Sequence, residues 1–223
     1  MSFNVAIDGP AGAGKSTIAK AVAKKLGLIY VDTGAMYRAN ALNIIRNNVD
    51  KNDKEKMIEL SKKADISLKF ENGEQSVLIN GENVNAFIRT EEVGNMASIS
   101  SAIPEVRKAI VDTQKRIALE NDIIMDGRDI GTVVLPQADL KIYLTAGSYE
   151  RAKRRYRELT EKGIECDLET IQKEIEERDY RDMHREMSPL KQAFDAVLVD
   201  SSDMTIDEVV DHIYNLCLQK KGV

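Results

Sequence analysis

A glycine-rich run near the N-terminus has the residue types and the spacing that bind a chain of phosphates. It fits G-x-x-x-x-G-K-S/T at every fixed position and consists of Gly9, Pro10, Ala11, Gly12, Ala13, Gly14, Lys15 and Ser16, with Thr17 following. Glycines let backbone N–H groups point at phosphate oxygens, and the following helix adds the positive end of its dipole. Lys15 would reach the β- and γ-phosphates, and Ser16 would coordinate Mg²⁺. The run predicts a nucleoside triphosphate site.

The segments on either side of this run support the same interpretation. A β-rich segment precedes it, and apolar residues at helical spacing follow it as far as Gly27. The main alternative is a dinucleotide-binding turn, with Asp32 after the second strand as the ribose carboxylate. That fingerprint needs Gly or Ala where Thr17 stands, and it gives no function to Lys15 and Ser16. The phosphate-binding loop is therefore favoured.

Asp126 is the second candidate for the metal site. It directly follows the apolar run Ile123-Ile124-Met125, which is where P-loop proteins place the carboxylate of the Mg²⁺ shell. The alternative is an ordinary turn or N-cap aspartate, a common residue after a short apolar run. Ser16 and Asp126 are the predicted metal ligands.

Many arginines stand where an anionic substrate could meet them. A group with one carboxylate is spaced i, i+3, i+4, i+7 and shares one helix face: Arg178, Arg181, Asp182 and Arg185. Three cations and a carboxylate on one stripe suit a phosphate together with a sugar hydroxyl. The alternative is a solvated, salt-bridged helix, which is our interpretation of residues 150–177.

Strand and helix patterns alternate along most of the chain. Short β-rich runs and amphipathic helices follow one another, which is typical of βαβ units and a parallel sheet. Residues 66–88 differ, because alternating runs are joined by a turn at 71–74 and by Asn80-Gly81, a strong hairpin signal. We expect a small antiparallel insertion there. Thr205 and Glu208 form a capping-box pattern before the last helix.

Composition excludes several classes of protein. The 223 residues carry 32 Lys+Arg against 37 Asp+Glu, a net charge of -5 that disfavours non-specific nucleic-acid binding. No apolar run approaches the roughly 18 residues that a membrane span needs, and no signal-peptide pattern is present, so we expect a cytoplasmic protein. Two cysteines and two histidines leave few candidates for a disulfide framework, a zinc site or a Ser-His triad.

Four motifs together resemble the bacterial cytidylate kinases. They are the glycine-rich run, Asp32-Thr33-Gly34-Ala35-Met36-Tyr37-Arg38, Asp126-Gly127-Arg128-Asp129-Ile130-Gly131-Thr132, and Arg178-Asp179-Tyr180-Arg181-Asp182. The first motif is shared by many enzymes, whereas D-T/S-G-A-x-Y-R together with D-G-R-D-x-G-T is specific to this family. The resemblance covers nearly the whole chain.

The resemblance implies an architecture. It is an α/β P-loop kinase fold with a five-stranded parallel sheet flanked by helices, a small antiparallel β insertion and a helical lid. Residues 1–223 would form one domain, with a core of 1–38, 99–148 and 187–223. Residues 39–98 would be the monophosphate-binding region and 149–186 the lid. A monomer is expected.

The resemblance also implies an activity, the Mg²⁺-assisted transfer of phosphoryl from ATP to CMP and dCMP. Catalytic charge would come from Lys15, Arg128, Arg178 and Arg181. The acceptor phosphate would meet Thr33, Tyr37, Arg38 and Arg128. The base would meet Ser98, Arg107, Asp129 and Arg185, and the ribose would meet Arg178 and Asp182. The lid would contribute Arg154, Arg155 and Arg157 over ATP.

The chemistry of cytosine agrees with these assignments. Cytosine has an N4 amino donor beside the acceptors N3 and O2, which a carboxylate such as Asp129 and donors such as Arg107 would complement. Uracil reverses two of those groups. Two alternatives remain at this point: a kinase for another small acceptor, such as UMP, AMP or shikimate, and a nucleotide-binding regulatory module without turnover.

Overall fold

A five-stranded parallel sheet forms the centre of the computed structural model, which describes residues 2–71 and 74–222. Its strands are β1 (Asn4–Asp8), β2 (Ile29–Asp32), β6 (Ile123–Gly127), β7 (Leu140–Thr145) and β8 (Val197–Asp200). They lie in the order β2-β6-β1-β7-β8. The predicted five-stranded parallel sheet is therefore confirmed.

Eight α-helices and one π-helical turn are described with it. The helices are α1 (Lys15–Leu26), α2 (Thr33–Arg46), α3 (Lys54–Lys63), α4 (Glu91–Ser100), α5 (Pro104–Glu120), α6 (Ser148–Glu161), α7 (Leu168–His184) and α8 (Ile206–Lys221). The π-helical turn spans Ile130–Val134. Within the described ranges, none of the helices is long and apolar enough to cross a bilayer.

The register of the sheet brings three carboxylates to one edge. β1 and β6 are apolar and buried on both faces, which suits central parallel strands covered by helices. Asp32 lies beside Asp126 in the pairing of β2 with β6, and Asp8 lies beside Gly127 in the pairing of β1 with β6. The carboxyl ends of these strands therefore meet where ligands bind in α/β folds.

The predicted antiparallel insertion is confirmed. It is a three-stranded sheet of β3 (Ile66–Glu71), β4 (Glu74–Ile79) and β5 (Glu82–Asn83). Asn80 and Gly81 both have positive φ, 50° and 84°, as the tight hairpin turn requires. Of the turn predicted at 71–74, residues 72 and 73 lie outside the described residues. One face of the insertion packs with α2 and α4 into a core that includes Val77 and Ile79.

Helix ends follow the sequence signals closely. Gly27 ends α1 with φ 67°, Pro104 opens α5, and both hydrogen bonds of the Thr205–Glu208 capping box are present. The one difference concerns the predicted stripe, because α7 ends at His184. Arg185 has an extended backbone and its Nε donates to the carbonyl of Ser188 at 2.6 Å. The stripe therefore runs one residue past the helix.

Candidate active site

The glycine-rich run forms a tight loop between β1 and α1. Gly9, Gly12 and Gly14 have φ of 152°, 74° and 83°, and a Cβ at Gly9 would overlap the carbonyl oxygen of Leu144. The buried ammonium of Lys15 donates to the carbonyl of Pro10 at 2.7 Å. Burial, and after it the positive charge of Arg128, lowers the pKa of Lys15 well below its ordinary value. A buried ammonium whose hydrogen bond goes to a neutral carbonyl suits the binding of a phosphate.

Asp126 lies beside the loop, as the sequence predicts. The hydroxyl of Ser16 donates to its Oδ2 and the hydroxyl of Tyr30 to its Oδ1, each at 2.9 Å. Burial, and after it the charge of Asp32, raises the pKa of Asp126 to about 6. The Asp126 side chain therefore meets hydroxyls rather than helix N–H groups, which separates it from the turn or N-cap alternative. A buried carboxylate next to a serine hydroxyl is a donor pair that suits Mg²⁺.

The motif that begins at Asp32 opens α2. Asp32 caps this helix by accepting from the N–H of Ala35 at 2.8 Å. Its carboxylate also pairs with Arg89 at 2.7 Å and with Arg38 at 3.4 Å. The hydroxyl of Thr33 donates to the carbonyl of Asp126 at 2.6 Å. Thr33 and Arg38 therefore lie together, next to the metal-ligand candidates.

Tyr37 also lies on α2, and its ring packs against Arg107. Its ring centroid is 5.1 Å from the guanidinium carbon of Arg107, a cation–π distance. Burial raises the pKa of Tyr37 to about 12. Its ring thus covers the arginine predicted to meet the base.

A chain of alternating charges joins α5, the loop after β6, and the end of α7. Arg107 donates two hydrogen bonds to Asp129, from Nη2 to Oδ1 at 2.6 Å and from Nε to Oδ2 at 3.1 Å. Arg128 donates from Nε to Asp182 at 2.8 Å. Arg185 lies between the two pairs, 3.6 Å from Asp129 and 3.8 Å from Asp182. All five side chains are largely buried, so the predicted base and ribose residues form one connected network.

Arg178 and Arg181 differ in their surroundings. Arg178 is half-buried, and its Nε has no hydrogen-bond partner among the described residues. Burial, and after it the charge of Arg128, lowers the pKa of Arg178 to about 10. Arg181 is exposed on α7, near enough for its charge to act on Arg178. The structure thus brings Arg178 into the site and leaves Arg181 at its rim.

Two other predicted groups lie apart from the site centre. Ser98 is half-buried on α4, and it is the carbonyl of Ser101 that accepts a hydrogen bond from Arg107, at 3.0 Å. Arg154 donates to the carbonyl of Ser201 at 2.6 Å. Arg155 pairs with Glu158 at 2.9 Å, and Arg157 is exposed and forms no ion pair within the described part of the chain. These three lid arginines do not converge on the P-loop.

Sequence reasoning missed several residues that hold the site in place. Asp8, at the end of β1, accepts from the N–H groups of Ile130 and Gly131 at 2.8 and 2.7 Å. Burial raises the pKa of Asp8 to about 6 against those hydrogen bonds. Arg151 and Asp179 contact Ala11 of the P-loop. Asp8 was discernible from its place before the P-loop, whereas nothing in the sequence separates Arg151 from the lid arginines.

The fold and this site together define a P-loop kinase: a phosphate-binding loop after β1, the hydrogen-bonded pair of Ser16 and Asp126 beside it, and a network of arginines and aspartates at the same edge of the sheet. The chain belongs to the cytidylate kinase family, whose model, described as "Cytidylate kinase", matches residues 5–219. The family uses ATP and a nucleotide acceptor.

Individual relatives agree with this assignment. A cytidylate kinase of Lactobacillus gasseri is 52% identical over 98% of this chain and 95% of its own length. One from Caldicellulosiruptor saccharolyticus is 52% identical over 96% of this chain and 95% of its own length. Among solved structures, an uncharacterized protein from Eubacterium ventriosum has a TM-score of 0.55 at 12% identity, covering 97% of this chain and 98% of that one. The last likeness concerns the fold alone.

Proposed function

We infer that this protein transfers the γ-phosphoryl group of ATP to CMP and dCMP, giving ADP and CDP or dCDP. A phosphate oxygen of the acceptor attacks the γ-phosphorus, and the bond from that phosphorus to the β,γ-bridging oxygen breaks. The observation that carries the inference is the buried Arg107–Asp129 pair, in a chain of the cytidylate kinase family that also has a complete P-loop. The pair presents the carboxylate of Asp129 to the nucleobase of an acceptor nucleotide.

The reaction needs no general base, because the attacking oxygen is already anionic near neutral pH. Catalysis then consists of alignment and charge neutralisation. Lys15 and the P-loop N–H groups would neutralise the β- and γ-phosphates. The charge of Arg128 acts on Lys15 and on Asp182, and that of Arg178 acts on Asp182. Both arginines would therefore meet the phosphates, while Arg181 would approach on closure of the lid. A site without histidine is sufficient for this chemistry.

Ser16 and Asp126 would hold Mg²⁺. They supply hard oxygen donors, and two protein ligands leave room for phosphate oxygens and water, which Mg²⁺ prefers. When bound, the ion neutralises charge on the β- and γ-phosphates. Tyr30 fixes the second oxygen of the Asp126 carboxylate.

The acceptor is proposed to lie along the charge network. The N4 amino group of cytosine would donate to a free lone pair of Asp129, with Arg107, Arg185 and Ser98 around the base. The other contacts follow the motifs: Arg178 and Asp182 at the ribose, and Thr33, Tyr37, Arg38 and Arg128 at the phosphate. Arg107 holds Asp129 in two places, and the carboxylate offers only acceptors, so the O4 acceptor of uracil would meet no donor there.

The division of the chain and its state in solution are part of the proposal. Residues 39–98 would close over the monophosphate, and 149–186 over ATP, which excludes water as an acceptor. A cytoplasmic monomer that does not bind nucleic acid agrees with the net charge of -5. Light scattering coupled to gel filtration tests the monomer, which predicts a mass near 24.9 kDa.

A panel of acceptors tests the reaction. ADP release is measured with CMP, dCMP, UMP, AMP and shikimate, with and without Mg²⁺. We expect kcat/KM for CMP and dCMP to exceed the others by at least about a hundredfold, and turnover to need Mg²⁺. Asp129→Asn should reduce the ratio of CMP to UMP by about thirtyfold. Equal rates with UMP would contradict the base assignment, and ATP binding without ADP release would favour the regulatory alternative.

A further inference from the structure

Arg151 and Asp179 form an ion pair at the base of the lid that encloses one residue of the P-loop. Nη1 of Arg151 donates to the carbonyl of Ala11 at 2.8 Å and to Oδ2 of Asp179 at 2.6 Å. The other oxygen of Asp179 accepts from the N–H of Ala11 at 3.0 Å. Nε of Arg151 donates to the carbonyl of Ala146 at 2.8 Å. Both backbone groups of Ala11 are therefore held by one pair of lid side chains, here called the lid-base pair.

The lid-base pair joins three elements. Arg151 lies in the first turn of α6, directly after the end of β7, and Asp179 lies on α7 beside Arg178. The P-loop also packs on the stem of Arg151, since a Cβ at Gly12 would lie 3.4 Å from the Cβ of Arg151. Movement of either helix relative to the P-loop would break at least one of these contacts.

Burial makes this pair unusual for a surface lid. The side chains of Arg151 and Asp179 are only 7% and 10% exposed, whereas Arg155 and Glu158 of the same lid are each 49% exposed. Removing two charges from water is costly, and buried pairs are on average poor contributors to stability. Here Nε and Nη1 of Arg151 and both carboxylate oxygens of Asp179 meet backbone groups or each other, so the pair fixes the geometry of the P-loop.

We propose that Arg151 and Asp179 are positioning residues that set the shape of the P-loop for ATP. They hold the peptide groups on both sides of Ala11, so that the N–H groups from Gly12 onward face the phosphates of ATP. They also keep α7, with Arg178 on it, in register with the P-loop. The proposal rests on the proposed function, because it concerns the ATP side of that site.

Four variants test the lid-base pair: Arg151→Met, Asp179→Asn, the double variant, and Arg151→Lys. The matched control is Lys162→Met, which breaks the exposed 2.7 Å pair with Glu158 in the same lid. Asp179→Asn keeps an oxygen for the N–H of Ala11 and replaces the oxygen that accepts from Arg151 by an amide NH₂. The measurements are kcat, KM for ATP, KM for CMP, thermal unfolding, and calorimetric binding of ADP.

We expect Arg151→Met and Asp179→Asn each to reduce kcat/KM for ATP by about thirtyfold and to weaken ADP binding. KM for CMP should stay within about threefold, and Lys162→Met should match the wild type. Since the two residues act as one unit, the double variant should be no worse than the poorer single one. Arg151→Lys should restore only part of the loss, because lysine cannot donate in two directions from a fixed plane.

Two results would overturn the proposal: multiplicative losses in the double variant, or a lowered unfolding temperature with kcat/KM for ATP and ADP binding unchanged. The first would show that the residues act independently, and the second that they only stabilise the fold. Absence of CMP-dependent turnover in the wild type would instead count against the proposed function. ADP binding would still test the lid-base pair in that case.

Discussion

The two halves of the site differ in how their buried charges are matched. The donor half consists of Asp8, Lys15, Ser16 and Asp126, and the acceptor half of Arg107, Arg128, Asp129, Asp182 and Arg185. In the donor half the ammonium of Lys15 meets a carbonyl and the carboxylate of Asp126 meets hydroxyls. In the acceptor half each carboxylate meets a guanidinium.

The pKa values follow this difference. In the donor half burial dominates, so the pKa values of Asp8 and Asp126 rise to about 6 and that of Lys15 falls. In the acceptor half burial opposes ionisation of Asp182, but the guanidinium of Arg128 outweighs it and the pKa of Asp182 is lowered. In the acceptor half each carboxylate is paired with a cation, which suits a nucleobase without charge, whereas in the donor half the buried charges meet neutral groups.

The largest effect is expected from the cation of the donor half. Lys15→Met should reduce kcat by about a thousandfold, because a buried charge aimed at the transferring group is lost. The unfolding temperature should hold or rise, since the pKa of Lys15 shows that its charged form is disfavoured in the folded protein. Steady-state kinetics and calorimetry measure both, with exposed Lys24→Met of the same helix as control. A loss confined to KM would contradict the role in transfer.

Arg178 and Arg181 mark the boundary between the halves. Arg178→Ala should lower kcat by about a hundredfold and Arg181→Ala by about tenfold, because the buried cation acts in a lower dielectric than the exposed one. Neither change should lower the unfolding temperature by more than about 2 °C. Exposed Arg116→Ala on α5 is the control. Near-unchanged turnover in either variant would remove that arginine from the mechanism.

Apart from Asp8, the donor half was predictable from local sequence, whereas the residues of the acceptor half were named from the resemblance and their pairing was not predicted. The P-loop and Asp126 follow from local chemistry, since a glycine turn, a strand before it and a helix after it are properties of short segments. The partners of Arg107 and Arg185 depend on three elements far apart in the chain. Arg151 and Arg154 both stand on α6 at helical spacing, yet only Arg151 faces the P-loop. Such pairings are decided by tertiary packing, which composition and spacing do not encode.

The two halves should give stability opposite dependences on pH. The pKa of Asp8 is raised in the folded protein, so its ionisation destabilises the fold. The unfolding free energy of the wild type minus that of Asp8→Asn should therefore fall by about 1.5 kcal/mol from about pH 4.5 to about pH 6, because the wild type loses stability as Asp8 ionises. The pKa of Asp182 is lowered, so the contribution of its charge is present above its unfolded pKa and lost as the pH falls through the folded value.

Urea unfolding of metal-free protein across this pH range measures both differences. For wild type against Asp182→Asn, the difference in unfolding free energy should stay level or rise slightly from about pH 4.5 to about pH 6, and fall only in more acid solution. Parallel curves for the two aspartates would show that burial and charge pairing affect both aspartates in the same way. That result would contradict the difference between the two halves.

The smallest effect is expected from Tyr30, which tests how far the donor half is preorganised. Tyr30→Phe removes one hydroxyl and leaves Asp126 with the hydrogen bond from Ser16 alone. The Mg²⁺ concentration for half-maximal activity should rise by about fivefold, because one hydrogen bond contributes about 1 kcal/mol, while kcat at saturating Mg²⁺ stays the same. Tyr214→Phe on α8 is the control. Tighter binding of Mg²⁺ and ATP by Tyr30→Phe would contradict this expectation. The hydroxyl of Tyr30 would then compete with the ion for Asp126 instead of orienting the carboxylate, and the side chains of the donor half would have to separate before the ligands bind.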